Sequence, residues 1–265
     1  MVQGALPRRG RHRNSSILKL NTMFDQLKDR LRRAEAALAA MGEAQRDQLA
    51  MAQLAALFPG GVYLPITTWS MAPTTVVHLC NEAAVGGART VVEFGSGYST
   101  MCLAALKARG YPDLHICSVE SDPHWMQRMD GWLTEWGLRQ MVTLVYAPLE
   151  NLPTQWAHKG IQTWYTTHAV LKAVESLPPV DLLVVDGPHG ASAPFARYPA
   201  VPVLKDRLSA NAVVYLDDAN RPAEREIAAA WQSLLGGDRK DFPRYTRLSR
   251  GNAFDPTPYA YAVLP

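Results

Sequence analysis

Two periodicities divide the chain. From Ile17 the apolar positions recur at alternating steps of three and four: Ile17, Leu20, Phe24, Leu27, Leu31, Ala34, Leu38 and Met41. This spacing is the seam of a helix with one apolar stripe. The seam lasts under four heptads, its flanking charges follow no pairing code, and Gly42 weakens it. It predicts either a coiled-coil homodimer or a helix packed on its own domain. Phe58-Pro59-Gly60-Gly61 then supplies strong breakers. The expected organisation is a basic tail over residues 1–16, a helical extension over 17–57 and a main domain over 58–265.

Beyond the breakers the pattern changes to short β-rich runs separated by helical stretches. The expected strands are Thr90 to Phe94, Leu114 to Val119, Val142 to Tyr146, Asp181 to Val185 and Ala212 to Leu216. Apolar runs uninterrupted by polar residues belong to strands buried on both faces, and their alternation with helices predicts a parallel sheet with crossover connections. Asp122 and Pro123 mark the start of the helix after the second strand, as cap and first-turn residue. Arg244 to Leu248 and Tyr259 to Leu264 read as an antiparallel hairpin. The expected fold is α/β, a doubly wound and mostly parallel sheet with a C-terminal antiparallel hairpin, preceded by the N-terminal helical extension.

Composition narrows the classes of function without choosing one. An apolar fraction of 48% over 265 residues suits one folded core. Lys and Arg number 27 against 24 Asp and Glu, too small an excess for nucleic acid to be the expected ligand. Much of it sits in Arg8, Arg9, Arg11 and Arg13, which read as a solvated tail. No apolar run reaches the roughly 18 residues needed to span a bilayer, and no signal-like segment follows the basic residues, so a cytoplasmic location is expected. Cys80, Cys102 and Cys117 lack the spacing of a zinc site and are odd in number, so reduced thiols are expected.

The chemistry starts at VVEFGSGYST, residues 91–100, where a strand runs into Gly95-Ser96-Gly97 and a helix follows. In open parallel sheets ligands lie beyond the carboxyl ends of the strands, where glycines let the backbone approach them. Glu120 ends the next strand, where an acidic side chain accepts hydrogen bonds from ribose hydroxyls. That spacing suits a dinucleotide or S-adenosylmethionine. Thr100 stands where a dinucleotide site wants a small residue, and Glu93 points an anion into the crevice, which would repel pyrophosphate and suit an ammonium and a sulfonium.

Glu93-Phe-Gly95-Ser-Gly97-Tyr-Ser99 resembles the first motif of the class I S-adenosylmethionine-dependent methyltransferases, E/D-x-G-x-G-x-G, departing from it at Ser99. The resemblance covers about Trp69 to Leu264. It implies that Glu93 faces the methionine amino group, that Gly95, Ser96, Gly97 and Ser99 run beneath the cofactor, that Glu120 holds the ribose, and that Ala147-Pro148-Leu149 borders the adenine. Asp186 is counted with the cofactor-facing residues as well.

Asp186 ends the fourth expected strand and Asp217-Asp218 the fifth. Adjacent strands lie about 4.8 Å apart, so the three carboxylates are expected to converge. A hard divalent cation, Mg²⁺ in the ordinary case, relieves their repulsion. The alternative is that Asp217 or Asp218 caps the next helix and Asp186 sits in a tight turn, with no metal. The arrangement is similar to the catechol-type O-methyltransferases, which carry Asn where Asp218 stands. That resemblance also implies that His189, three residues beyond Asp186, takes the position of a catalytic lysine and acts as general base beside Asp186; histidine is mostly neutral at pH 7 and can accept a proton. DGPHG, ARYPAVPVLKDRL and LDDANRPAERE resemble segments of bacterial methyltransferases of mostly unassigned substrate. Arg197, Tyr198 and Arg221 are candidates either for contact with an anionic or hydroxylated substrate or for surface ion pairs, and Trp164, Tyr165 and His168 either for a substrate wall or for core.

Three function classes stay open on these residues. The first is transfer of a methyl group to a small molecule or glycan. The second is a nicotinamide-dependent oxidoreductase on a similar sheet, which Thr100 and the terminal hairpin disfavour. The third is a catalytically silent methyltransferase-like module that dimerises through its N-terminal helix.

Overall fold

The computed structural model describes residues 11–63, 65–189, 193–251 and 253–259, with side chains from residue 21 onward. Two compact units divide the chain between Gln48 and Leu49. Helix α1 (Arg11–Ala55) makes up the described part of the first unit and enters the second. It therefore begins inside the segment assigned to the tail. In the first unit the seam residues Phe24, Leu27, Leu31, Leu38 and Met41 are all exposed. In the second, Ala50 and Leu54 of the last turns are buried with Phe58, Met71 and Val76, so the main domain's core begins upstream of the Phe58 boundary. Gly60 and Gly61, both at positive φ, end the helical region as expected of such breakers.

The second unit then runs α2 (Pro73–Ala84), β1 (Thr90–Phe94), α3 (Tyr98–Ala108), β2 (His115–Glu120), α4 (Pro123–Glu135), β3 (Thr143–Tyr146), β4 (Leu149–Asn151), β5 (Thr163–Tyr165), α5 (Thr167–Glu175), β6 (Val180–Val185), α6 (Ala200–Leu204), β7 (Leu208–Asp217), α7 (Pro222–Leu235), β8 (Asp238–Asp241) and β9 (Tyr245–Ser249). Seven strands form one sheet in the order β3-β2-β1-β6-β7-β9-β8. The pairings from β3 to β7 are parallel, and β9 is antiparallel to both its neighbours. β4 and β5 make a separate antiparallel pair.

The apolar runs are explained by burial on both faces. Val91, Leu182, Val184 and Tyr215 pack on one side with residues of α2, α3 and α4, and Val92, Phe94, Leu183, Val185 and Leu216 on the other with residues of α5, α6 and α7. Asp122 caps α4 by accepting from the N–H groups of His124 and Trp125 at 2.8 and 3.0 Å, with Pro123 in the first turn.

The C-terminal antiparallel element differs from expectation in its partner. β9 takes up all of the Arg244–Leu248 run but Arg244, and its two edges are taken by β7 and β8. The second expected strand, Tyr259 to Leu264, lies beyond the described residues except for Tyr259, which is in a turn. β8 reads DRKD and shows no apolar alternation, because as an edge strand it has little to bury.

The chain moves from β1 outward to β2 and β3, then crosses back to β6 and moves outward the other way to β7. The sheet therefore reverses direction between β1 and β6, which is where open α/β sheets hold ligands. Register brings the strand ends level: Phe94 pairs with Val119 and with Val185, and Val185 with Leu216. Glu120, Gly95, Asp186 and Asp217 follow side by side.

Candidate active site

A cavity of about 590 Å³ opens at this reversal point. Gly95, Ser96, Gly97, Ser99, Glu120, Leu149, Asp186 and His189 line it, so eight sequence-nominated residues are brought together. Two residues nominated for the cofactor are not. Ala147 is buried and gives its N–H to the Glu120 carbonyl at 2.8 Å. Glu93 is fully buried below the loop, accepting from the hydroxyls of Ser99, Thr100 and Ser118, the last at 2.8 Å.

This explains the departure from the glycine pattern. Ser99 and Thr100 hold Glu93 from above, which glycine could not do, and Thr100 Oγ1 also accepts the Gly97 N–H at 2.8 Å. Burial pushes the Glu93 carboxyl above its ordinary range, while the three hydroxyls favour the charged form. Its hydrogen bonds tie the loop to the strand, and it is not among the residues that line the cavity.

Gly95 has a positive φ of 91°, and a Cβ there would lie 3.0 Å from the Gly187 nitrogen. The two loops that bound the cavity, after β1 and after β6, are thus in backbone contact. Glu120 accepts from the N–H of Ser96 (3.2 Å), Ser121 (2.7 Å) and Asp122 (2.8 Å) and from Ser96 Oγ (3.1 Å), which fixes its carboxylate at the cavity wall.

Sequence reasoning missed much of the wall. Trp125 and Trp132 of α4 line the cavity, stand edge to face at 5.7 Å, and Trp125 Nε1 donates to the Ser96 carbonyl at 2.7 Å. Their spacing of seven, which places both on one helix face, was the available signal. Pro65, Thr67, Trp69 and Met71 also contribute, from a connection that precedes α2. Of the aromatic trio, Tyr165 lines the cavity, Trp164 is buried core, and His168 is exposed outside it. His189 lies against Trp69, with ring centroids 4.6 Å apart and planes tilted by 50°.

Asp186, Asp217 and Asp218 converge as expected, each offering an oxygen within 4.8 Å of the others. Neither Asp217 nor Asp218 caps α7, whose cap position is Arg221 without a side-chain bond. The buried Arg197 stands among them, its Nη2 3.0 Å from Asp186 Oδ1 and 3.1 Å from Asp218 Oδ2, and its Nη1 donating to the Asp217 carbonyl at 2.9 Å. Arg221 and Arg244 approach Asp218 at 3.0 and 3.7 Å. Burial opposes charge on Arg197, but the carboxylates of Asp186, Asp218 and Asp217 outweigh it and keep the guanidinium protonated. Among the described residues no group donates a hydrogen bond to Asp217 Oδ1; burial, then Asp218, push its carboxyl up to about 6. Mg²⁺ does not fit here, because the position facing both Asp186 and Asp218 is taken by a guanidinium nitrogen. Tyr198 lies elsewhere, stacked on His158 at 4.1 Å.

Residues 92–219 match the family model described as "Methyltransferase domain". No curated protein matches the chain. Among solved structures, a candidate caffeoyl-CoA O-methyltransferase from Staphylococcus aureus is similar with a TM-score of 0.50 and 13% identity, covering 71% of this chain and 86% of its own. An O-methyltransferase from Bacillus cereus in complex with SAH is 14% identical over 78% of this chain and 90% of its own, with a TM-score of 0.49. The sheet order, the Gly-rich turn after β1 and the match over residues 92–219 support a class I S-adenosylmethionine-dependent methyltransferase. No helix among the described residues is long and apolar enough to cross a membrane.

Proposed function

We propose that the protein transfers the methyl group of S-adenosylmethionine to an oxygen of a small-molecule or glycan acceptor. The observation that carries this reading is the single cavity wall shared by the Gly95–Gly97 turn, Glu120, Asp186 and His189. S-adenosylmethionine supplies a methyl carbon on a sulfonium; the acceptor oxygen bonds to that carbon as the carbon–sulfur bond breaks and its electron pair returns to sulfur. Glu120 receives the ribose hydroxyls, for which the Ser96 hydroxyl on its carboxylate is a replaceable partner. Trp125, Trp132 and Leu149 give the adenine an apolar border. Asp186, rather than Glu93, presents the anion for the methionine ammonium. His189, also on the cavity wall, takes the acceptor's proton.

Calorimetric titration of the protein with S-adenosylhomocysteine and with NAD tests the cofactor, and release of S-adenosylhomocysteine over a panel of hydroxylated acceptors tests the reaction. Binding of NAD without S-adenosylhomocysteine would favour the oxidoreductase reading; cofactor binding with no turnover on any acceptor would favour the silent module. The exposed seam of α1 supports homodimerisation through that helix. A cytoplasmic location and the absence of a nucleic-acid partner belong to the same reading.

A further inference from the structure

We infer that Arg197 is the resident cation of the carboxylate cluster at the ends of β6 and β7, so that this methyltransferase works without a divalent metal. The inference rests on the methyltransferase reading and on the placement of one side chain. Arg197 is 3% exposed, comes from the segment before α6, and bridges Asp186 and Asp218 through the same nitrogen. A metal bound by those oxygens would have to push a buried guanidinium away from its counter-ions, which costs the guanidinium its ion pairs. Asp218 makes the case stronger. It meets three guanidiniums, those of Arg197, Arg221 and Arg244, so its charge is balanced within the chain. Three arginines thus stand among the three aspartates and Glu224, which lies 4.0 Å from Arg221, so most of the cluster's negative charge is met within the chain. A guanidinium orients carboxylates by hydrogen bonds but does not coordinate and acidify an acceptor hydroxyl as a metal does. Removal of the acceptor's proton is left to a side chain, and His189 adjoins both the main cavity and the pocket lined by these arginines.

The test is Mn²⁺ binding to the full-length protein followed by electron paramagnetic resonance, with S-adenosylhomocysteine titrated on the same samples. Wild type should leave the free Mn²⁺ signal unchanged. Arg197→Ala, which bares the carboxylates, should bind Mn²⁺ at least about tenfold more tightly than wild type, and Arg197→Lys, which keeps a cation, should stay near wild type. Exhaustive chelation should leave turnover unaltered. Saturable Mn²⁺ binding by wild type, equal Mn²⁺ affinity of wild type and Arg197→Ala, or loss of turnover on chelation would each overturn the inference. Should Arg197→Ala fail to fold, the wild-type titration decides by itself. Failure of wild type to bind S-adenosylhomocysteine would count against the methyltransferase reading instead, and the Mn²⁺ comparison would still decide whether Arg197 fills the cluster.

Discussion

A Cβ at Gly97 would meet no atom of the described residues within 4 Å, and the backbone there is extended, with φ at −178°. The chain itself therefore tolerates a Cβ; what that atom would occupy is the cavity. Gly97→Val should lower affinity for S-adenosylhomocysteine by at least about 100-fold while the melting temperature stays near that of the parent, and unaltered affinity by calorimetry would reject the role given to the loop. Gly95 is unsuited to this test, because its positive φ and its contact with Gly187 would make any substitution a folding defect. At His189 the expected loss is in rate. His189→Gln should reduce kcat by about 10²- to 10⁴-fold with cofactor affinity unchanged. A kcat within about threefold of the parent from about pH 6 to about pH 9 would show that this histidine is not the base. The residues legible in the sequence were those next to a strand end, since a strand followed by glycine or an acid announces its own position. Trp69, Trp125 and Trp132 were not, because a wall assembled from a distant connection and a helix face depends on tertiary placement. Glu93 was legible as the acid before the glycine turn, but its hydrogen bonds to Ser99, Thr100 and Ser118 were not, because they form only once β1, the turn and β2 are brought together.

Helix α1 keeps Phe24, Leu27, Leu31, Leu38 and Met41 exposed along one seam, a stripe that a second copy of the same helix would cover by knobs-into-holes packing. The double variant Leu27→Glu, Leu31→Glu places like charges in that seam, so light scattering on the full chain should show the mass per particle falling from dimer to monomer. Equal masses for parent and variant would remove the helix from any role in assembly. Truncation is the poorer test, since Ala50 and Leu54 already belong to the core of the second unit. Elements were legible where burial is two-sided: β1 matches its expected bounds, and β2, β3 and β6 lie within one residue of theirs. β7 begins at Leu208 rather than Ala212 because Ser209, Ala210 and Asn211 extend it where the run is no longer uniformly apolar. β4, β5 and β8 left no clear signature, being three or four residues long, with β4 and β8 also exposed on most positions.

Across the molecule, the reversal between β1 and β6 decides where the chemistry happens, and a separate buried network ties helix α2 to the strands that follow the reversal. His78 of α2 is fully buried, with Nδ1 2.8 Å from the Tyr245 hydroxyl of β9. Glu82, one turn on, accepts from Tyr215 of β7 at 2.9 Å and from Arg247 of β9 at 2.7 Å. Glu82 and Asp255 carboxylates each stand 3.9 Å from His78 Nε2, and Arg247 and Lys240 add positive charge nearby. Burial, with Arg247 next, pushes the His78 imidazole from 6.5 down to about 3. The folded protein therefore keeps His78 neutral while the unfolded chain protonates it below about pH 6.5, so this contribution to stability is complete above that pH and is lost as pH falls toward 3. At about 1.4 kcal/mol per pH unit, the loss at about pH 5 is about 2 kcal/mol. Asp255, held down to about 2 by the Lys240 and Thr257 hydrogen bonds against its burial, loses stability in the same direction, and Glu82, pushed up by burial, acts in the opposite one. Both remain in His78→Asn, which keeps a polar partner for Tyr245 and never titrates, so the comparison isolates the histidine. Urea unfolding at about pH 7 and about pH 5 should show the parent losing about 2 kcal/mol more than His78→Asn. The same loss in both proteins would mean that His78 binds its proton in the fold, and that the contacts between α2, β7 and β9 admit a charge.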